Sequence, residues 1–189
     1  MNIPNRKTTG RRMGIFILLI ALAGVLLYGV IEVRRVQEPI AGVVAGELRV
    51  PLLKKALVER FESGEDPHAI YKNLKTSFAS YYLNVQHPAA HVFGEVLFDY
   101  AGTDGIGVCD TDFAFGCFHS LFGRAIAVHG VDVIPRLEQG CVESHGIMAL
   151  GCVHGIGHGL GEYFGPQNIR EQLSHCKSLS WQGTLYGCS

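Results

Sequence analysis

The chain has 189 residues, 48% of them hydrophobic, and a formal net charge of −1. Beyond residue 38 it holds 10 Lys+Arg against 15 Asp+Glu. No basic patch is visible, so nucleic acid is not an expected partner. The remaining length, about 150 residues, is enough for one domain with a sizeable core.

Residues 13–31 form nineteen uncharged, mostly apolar positions, long enough to cross a bilayer as a helix. Arg6, Lys7, Arg11 and Arg12 precede them; Arg34 and Arg35 follow in company with Glu32 and Glu38. The heavier basic cluster places residues 1–12 in the cytoplasm and the rest outside it. The rival is a cleaved signal peptide, with Ala21-Leu22-Ala23 as the cleavage site. That triplet sits inside the apolar run, and the run exceeds a usual h-region, so an uncleaved signal-anchor is the expectation.

Residues 32–50 read as a connector, and 51–189 as the main domain. Pro51 opens a short helix through Phe61. Asp66-Pro67 is a helix start, with Asp as N-cap and Pro at the first helical position. Ile70, Leu74, Phe78 and Tyr81 follow at helical spacing. Pro88 opens the next helix, with Val92, Phe93, Val96, Leu97 and Tyr100 on its apolar side. Such stripes are ordinary core packing. Residues 102–116, rich in Gly and Asp, read as a loop.

A repeat then emerges in cysteine and histidine. Phe115-Gly116-Cys117, Leu150-Gly151-Cys152 and Tyr186-Gly187-Cys188 recur at steps of 35 and 36 residues. The first two continue as Cys117-Phe118-His119 and Cys152-Val153-His154. A second cysteine follows each by 24 residues, Cys141 and Cys176. A period of this length marks stacked supersecondary units sharing a core. The predicted fold is all-α: a transmembrane helix, then stacked α-hairpins of about 35 residues, stapled by disulfides. Residues 117–129 and 152–164 are the first helices of two units; 133–141 and 167–176 are the second. Short connections imply antiparallel neighbours. His91-Val92-Phe93-Gly94 reads as a degenerate earlier unit. A further helix should begin near Cys188, so the last unit is either a cap or incomplete.

Six cysteines allow fifteen pairings. Pairing across loops gives Cys109–Cys117, Cys141–Cys152 and Cys176–Cys188. It uses every cysteine and closes loops of about ten residues, each contributing about 2–3 kcal/mol. Pairing within hairpins gives Cys117–Cys141 and Cys152–Cys176 and strands Cys109 and Cys188. The loop pairing is the preferred expectation. Cys-x-x-Cys is absent, so neither a zinc knuckle nor a thioredoxin-like motif is supported, and export favours structural disulfides.

Seven of the nine histidines lie from His91 onward. His154, His158 and Glu162 fall at i, i+4 and i+8, one face of a helix. Two imidazoles and a carboxylate suit zinc or iron. His91 and Glu95 repeat the spacing, and His119 is the repeat mate of His154, so ligands from adjacent units can converge. The preferred expectation is nevertheless structural: His119 and His154, in the first turn of a helix, hydrogen-bond the preceding loop in each unit. His-Glu-x-x-His and Cys-x-x-Cys-His are both missing, which argues against a zincin protease and covalent haem attachment.

Gly155, Gly157, Gly159 and Gly161 alternate through the same stretch. Each costs a helix about 1 kcal/mol relative to Ala. Close helix packing, approach to a ligand, or a loop in place of a helix would account for them. In the repeat mate Ser120, Phe122, Arg124 and Ile126 fill these places, and Gly123 stands where His158 does, so the pattern belongs to one unit.

The Gly-Cys-x-His units resemble a loose set of prokaryotic exported proteins with repeated Cys-x-His-Gly motifs. Cys152-Val153-His154-Gly155 matches in full, Ser120 replaces the glycine earlier, and the resemblance covers about residues 88–189. It implies no activity, only the repeat. The expected function is a membrane-anchored extracytoplasmic helical-repeat binding or scaffold module for a protein partner; the alternative is a metal-binding or metal-dependent protein using His154, His158 and Glu162 with His119 nearby. A hydrolase lacks its Gly-x-Ser-x-Gly, and a thiol enzyme would need an unpaired cysteine.

Overall fold

The computed structural model describes residues 17–26, 40, 43–44, 47–177 and 179. The chain divides into two units, Met1–Glu38 and Pro39–Ser189. In the first, residues 17–26 form a helix, α1, with every described side chain exposed. Among the described residues no helix is long and apolar enough to cross a membrane. The two ends of the expected span, residues 13–16 and 27–31, lie outside the described residues, as do residues 1–12.

Among the described residues, the regular structure of the second unit is helical apart from one small hairpin in the expected connector. Strands β1 (Val43–Val44) and β2 (Glu47–Leu48) pair antiparallel, Val43 opposite Leu48 and Val44 opposite Glu47. Helix α2 (Val50–Glu62) starts with Pro51 in its first turn and buries Leu53, Leu57 and Phe61, one side of a helix. Asp66 caps α3 (Pro67–Phe78) by accepting the Ala69 N–H at 3.1 Å, as Asp-Pro predicts. Its buried stripe is Ile70, Tyr71, Leu74 and Phe78. Tyr81 lies beyond its end and packs half-buried at the core edge.

Helix α4 (Leu83–Ala101) corrects one boundary. Pro88 lies inside the helix rather than opening it. The turn ahead of it forms because the Tyr82 carbonyl accepts the N–H groups of Val85 and Gln86, at 2.9 and 3.1 Å. The Gln86 side chain also donates to the Phe78 carbonyl at 3.2 Å. A proline this near the start removes only one ladder bond, and the extra turn brings His87 into the helix.

The predicted loop 102–116 is half structured. Residues Gly102–Val108 form a 3-10 helix. After it, Phe113, Ala114 and Phe115 sit consecutively at φ 53°, 53° and 64°. Left-handed backbone costs a non-glycine residue about 1–2 kcal/mol. Lys75 holds this segment by donating to Asp110 and, at 2.9 Å, to Asp112. The Cys109–Cys117 disulfide closes it from both sides.

Helices α5 (Gly116–His129), α6 (Ile134–His145), α7 (Leu150–Phe164) and α8 (Ile169–Lys177) follow. Helix α6 runs four residues past its predicted end, to a stop at Gly146. Disulfides Cys109–Cys117 and Cys141–Cys152 follow the loop pairing, with Cα atoms 5.5 and 5.6 Å apart. The hairpin pairing is excluded, because Cys117, Cys141 and Cys152 are already taken. Cys176 is disulfide-bonded as well; Cys188, its expected partner, lies outside the described residues.

Helix α5 is the centre of the domain and packs against α4 on one side and α7 on the other. Leu121, Phe122, Ala125 and Ile126 are fully buried there. Glycines set how closely the helices approach. A Cβ on Gly94 would collide with the backbone carbonyl of Cys117. One on Gly155 would lie 2.7 Å from Phe118 Cβ, and one on Gly159 2.9 Å from the backbone nitrogen of Gly123. Of the three explanations for the glycine-rich stretch, close packing applies to both of these positions, and the segment is a helix.

Gly94→Ala therefore forces backbone apart and is expected to destabilise the domain by about 1–3 kcal/mol or more. Gly107→Ala, whose Cβ would meet only the Ser144 side chain at 3.5 Å, is the control and should stay within about 0.5 kcal/mol. Urea unfolding of both variants checks this; equal stabilities would show that the α4–α5 spacing is not set by glycine.

Candidate metal centre

The close approach of three helices gathers five imidazoles. His87 and His91 project from α4 at i and i+4, His119 from α5, and His154 and His158 from α7, again at i and i+4. Two sets of three have their ligand atoms within 4.8 Å of one another: His87, His91 and His119, and His119, His154 and His158. His119 belongs to both.

The inner set, on α4 and α5, is held from outside. His87 Nδ1 lies 2.7 Å from the Phe113 carbonyl and donates to it, so His87 Nε2 carries a lone pair. The Ser120 hydroxyl lies 2.7 Å from His91 Nδ1. The two Nε2 atoms face each other at 3.0 Å. Outer partners on Nδ1 with Nε2 turned inward are the usual arrangement of histidine ligands. In the absence of an ion, one proton between the two Nε2 atoms satisfies the pair. His119 is different. It is 5% exposed, and its Nε2 is buried without a hydrogen-bond partner, a cost of about 1–3 kcal/mol. The loop contact expected of His119 is thus not made by this atom; His87 makes such a contact instead.

Ring geometry separates the sets. An ion about 2.1 Å from each nitrogen places ring centres about 4.6–5.3 Å apart for angles between octahedral and tetrahedral. In the inner set the centres lie 4.5, 5.3 and 5.4 Å apart, with rings inclined at 66°, 73° and 75°. In the outer set His154 and His158 are 4.6 Å apart, with Nε2 atoms at 3.0 Å, but His119 stacks on His158 at 4.0 Å and 21°. The inner set is the better preformed.

The carboxylates sit elsewhere. Glu95 is bound by Lys54 at 2.7 Å. Glu162 lies against Gly123, where a Cβ would strike its Oε2, and desolvation raises its pKa. Neither belongs to a three-ligand set among the described residues. His154, His158 and His119 are brought together; Glu162, expected to join them, lies against Gly123 instead. His87 went unseen because Pro88 reads as a helix start. Its signal is the spacing His87-x3-His91-x3-Glu95, the same as His154-x3-His158-x3-Glu162. His145, by contrast, is structural, with Nε2 3.1 Å from the Ile106 carbonyl.

Burial and mutual repulsion favour the neutral form of three of these rings, His91, His119 and His158. Burial, then His87 and His158, lowers the His91 pKa to about 4. Burial, then the four other rings, lowers His119 to about 3. His158 is lowered by burial, His154 and His87. Neutral imidazole is the form that ligates a metal. Three such rings suit zinc, copper, nickel or iron.

These shifts make the metal-free domain acid-sensitive. The folded pKa values lie below the unfolded value near 6.5, so the unfolded chain binds protons first as pH falls. The contribution is complete above about 6.5 and is lost progressively towards about 3–4. Melting temperature measured without metal is expected to fall across that window, with a shallower fall in His119→Asn. Parallel curves for the two proteins would contradict the assignment.

No protein-family model matches the chain, nor does any curated protein or any solved structure, so its functional reading rests on this geometry.

Proposed function

We propose that the chain is a transition-metal-binding protein whose ion is held by His87, His91 and His119, with His154 and His158 alongside. The observation that carries this is the orphaned Nε2 of buried His119, flanked by imidazoles whose other nitrogens are fixed from outside. An ion would satisfy that nitrogen and replace the single proton between His87 and His91. Zinc, copper and iron all accept such ligands. The bound ion would offer Lewis acidity or redox chemistry; the residues here supply its binding.

We also propose that residues 13–31 anchor the chain in a membrane with the domain on the extracytoplasmic side. The support is the nineteen-residue uncharged run with basic residues before it. The described cysteines are also used as disulfides, which persist in oxidising compartments.

One preparation tests both. The full chain is expressed with export intact, recovered from the membrane fraction in mild detergent without chelators, and assayed for metal. About one ion per chain is expected, and a His87→Gln/His91→Gln variant should lose it by at least about 10–100-fold in affinity. Absence of stable zinc, copper or iron after reloading a folded protein would overturn the metal reading. Recovery in the soluble fraction would overturn the anchor.

A further inference from the structure

We propose that His154 and His158 form an outer holding position that hands a transition-metal ion to the inner set, His87, His91 and His119, through the His119 they share. This rests on the metal-binding reading and adds a route to it. Four observations support the route. His158 is exposed and His154 half-buried, whereas His87 and His91 are half-buried and His119 is buried. Solvent therefore meets His158 of the α7 pair first. That pair already presents two nitrogens 3.0 Å apart, a two-point grip for an arriving ion. His119 stands between the pairs, with its ring centre 4.0 Å from His158, 5.6 Å from His154, 5.3 Å from His87 and 5.4 Å from His91. Finally, the stack of His119 on His158 is too tight for three good bonds to one ion, while the inner spacing fits them.

Transfer then needs no passage through bulk water. An ion held by His154 and His158 gains His119, exchanges the outer pair for His87 and His91, and ends with three nitrogens at better angles. No electron count changes: ligands exchange, the proton between His87 and His91 Nε2 moves to His91 Nδ1 against the Ser120 oxygen as the ion enters, and a proton returns between the Nε2 atoms of the leaving pair. Because His119 is common, the two positions hold one ion between them. The chemical class is a borderline divalent ion that favours imidazole, for which zinc is the probe.

The test is stopped-flow loading of the metal-free full chain in detergent with zinc, read against a chromophoric chelator, together with equilibrium competition. His154→Gln/His158→Gln should slow loading and release by the same factor, about tenfold or more, and leave Kd within about threefold, since a kinetic intermediate cannot change the end states. His87→Gln/His91→Gln should keep fast, weak capture and lose the tight site. His158→Gln alone, at an exposed position, guards against misfolding and should also slow loading. Unchanged rates in the outer variants, equal loss of tight binding in both double variants, or two zinc ions held at once by the wild type would overturn the route. Failure of the wild type to hold zinc, copper or iron at all would sink the metal reading itself, which separates the two failures.

Discussion

Packed helices normally stand about 8–10 Å apart, and α5 must come close enough to both neighbours for imidazole nitrogens to meet. Glycine makes that possible. Gly94 admits the Cys117 carbonyl on the α4 side, and Gly155 and Gly159 admit Phe118 and Gly123 on the α7 side. The helix cost of the glycines, about 1 kcal/mol each, is offset by packing that larger residues would forbid. His119, carried on the squeezed helix, is thereby buried between two pairs of histidines. Alanine at these positions would both loosen the core and pull the nitrogens apart, so stability and ligand geometry depend on the same contacts.

The segment before α5 serves the same end. Three left-handed residues are tolerated because a disulfide, Lys75 and the Phe115 ring against Gly151 all restrain them. In return the Phe113 carbonyl faces His87 Nδ1 and fixes which nitrogen turns inward. Strain retained beside an ordered ligand set is consistent with a site whose geometry is held before the ligand arrives. The lowered pKa values of His91, His119 and His158 follow from the same burial and crowding, which favours an ion there over a proton.

Much of this was legible in the sequence, for identifiable reasons. Cysteine spacing carried the loop disulfides, because an even count and short loops leave few sensible pairings. Apolar period and the Asp66-Pro67 start carried α3, and the repeated Gly-Cys marked α5 and α7 to within two residues. What the sequence hid depended on tertiary contact. Pro88 reads as a boundary unless one knows that the Tyr82 carbonyl takes up the preceding N–H groups, and with that boundary His87 drops from sight. Glu95 looks like a ligand until Lys54, distant in sequence, claims it. Gly123 reads as a missing histidine, although its emptiness is what lets Glu162 and Gly159 come near. Only the meeting of α4 with α5 reveals that the inner set, rather than the His154-His158-Glu162 stretch that dominates the sequence, has the better ring spacing.

The central claim is that close packing of α5 makes a three-nitrogen site from His87, His91 and His119. A crystal structure of the zinc-loaded chain, with data collected across the zinc absorption edge, tests it most directly. The account predicts one anomalous peak about 2.1 Å from a nitrogen of each of these residues, with the Phe113 and Ser120 contacts to His87 and His91 retained. A peak bound elsewhere, or a fully loaded protein in which His119 Nε2 still has no partner, would contradict it.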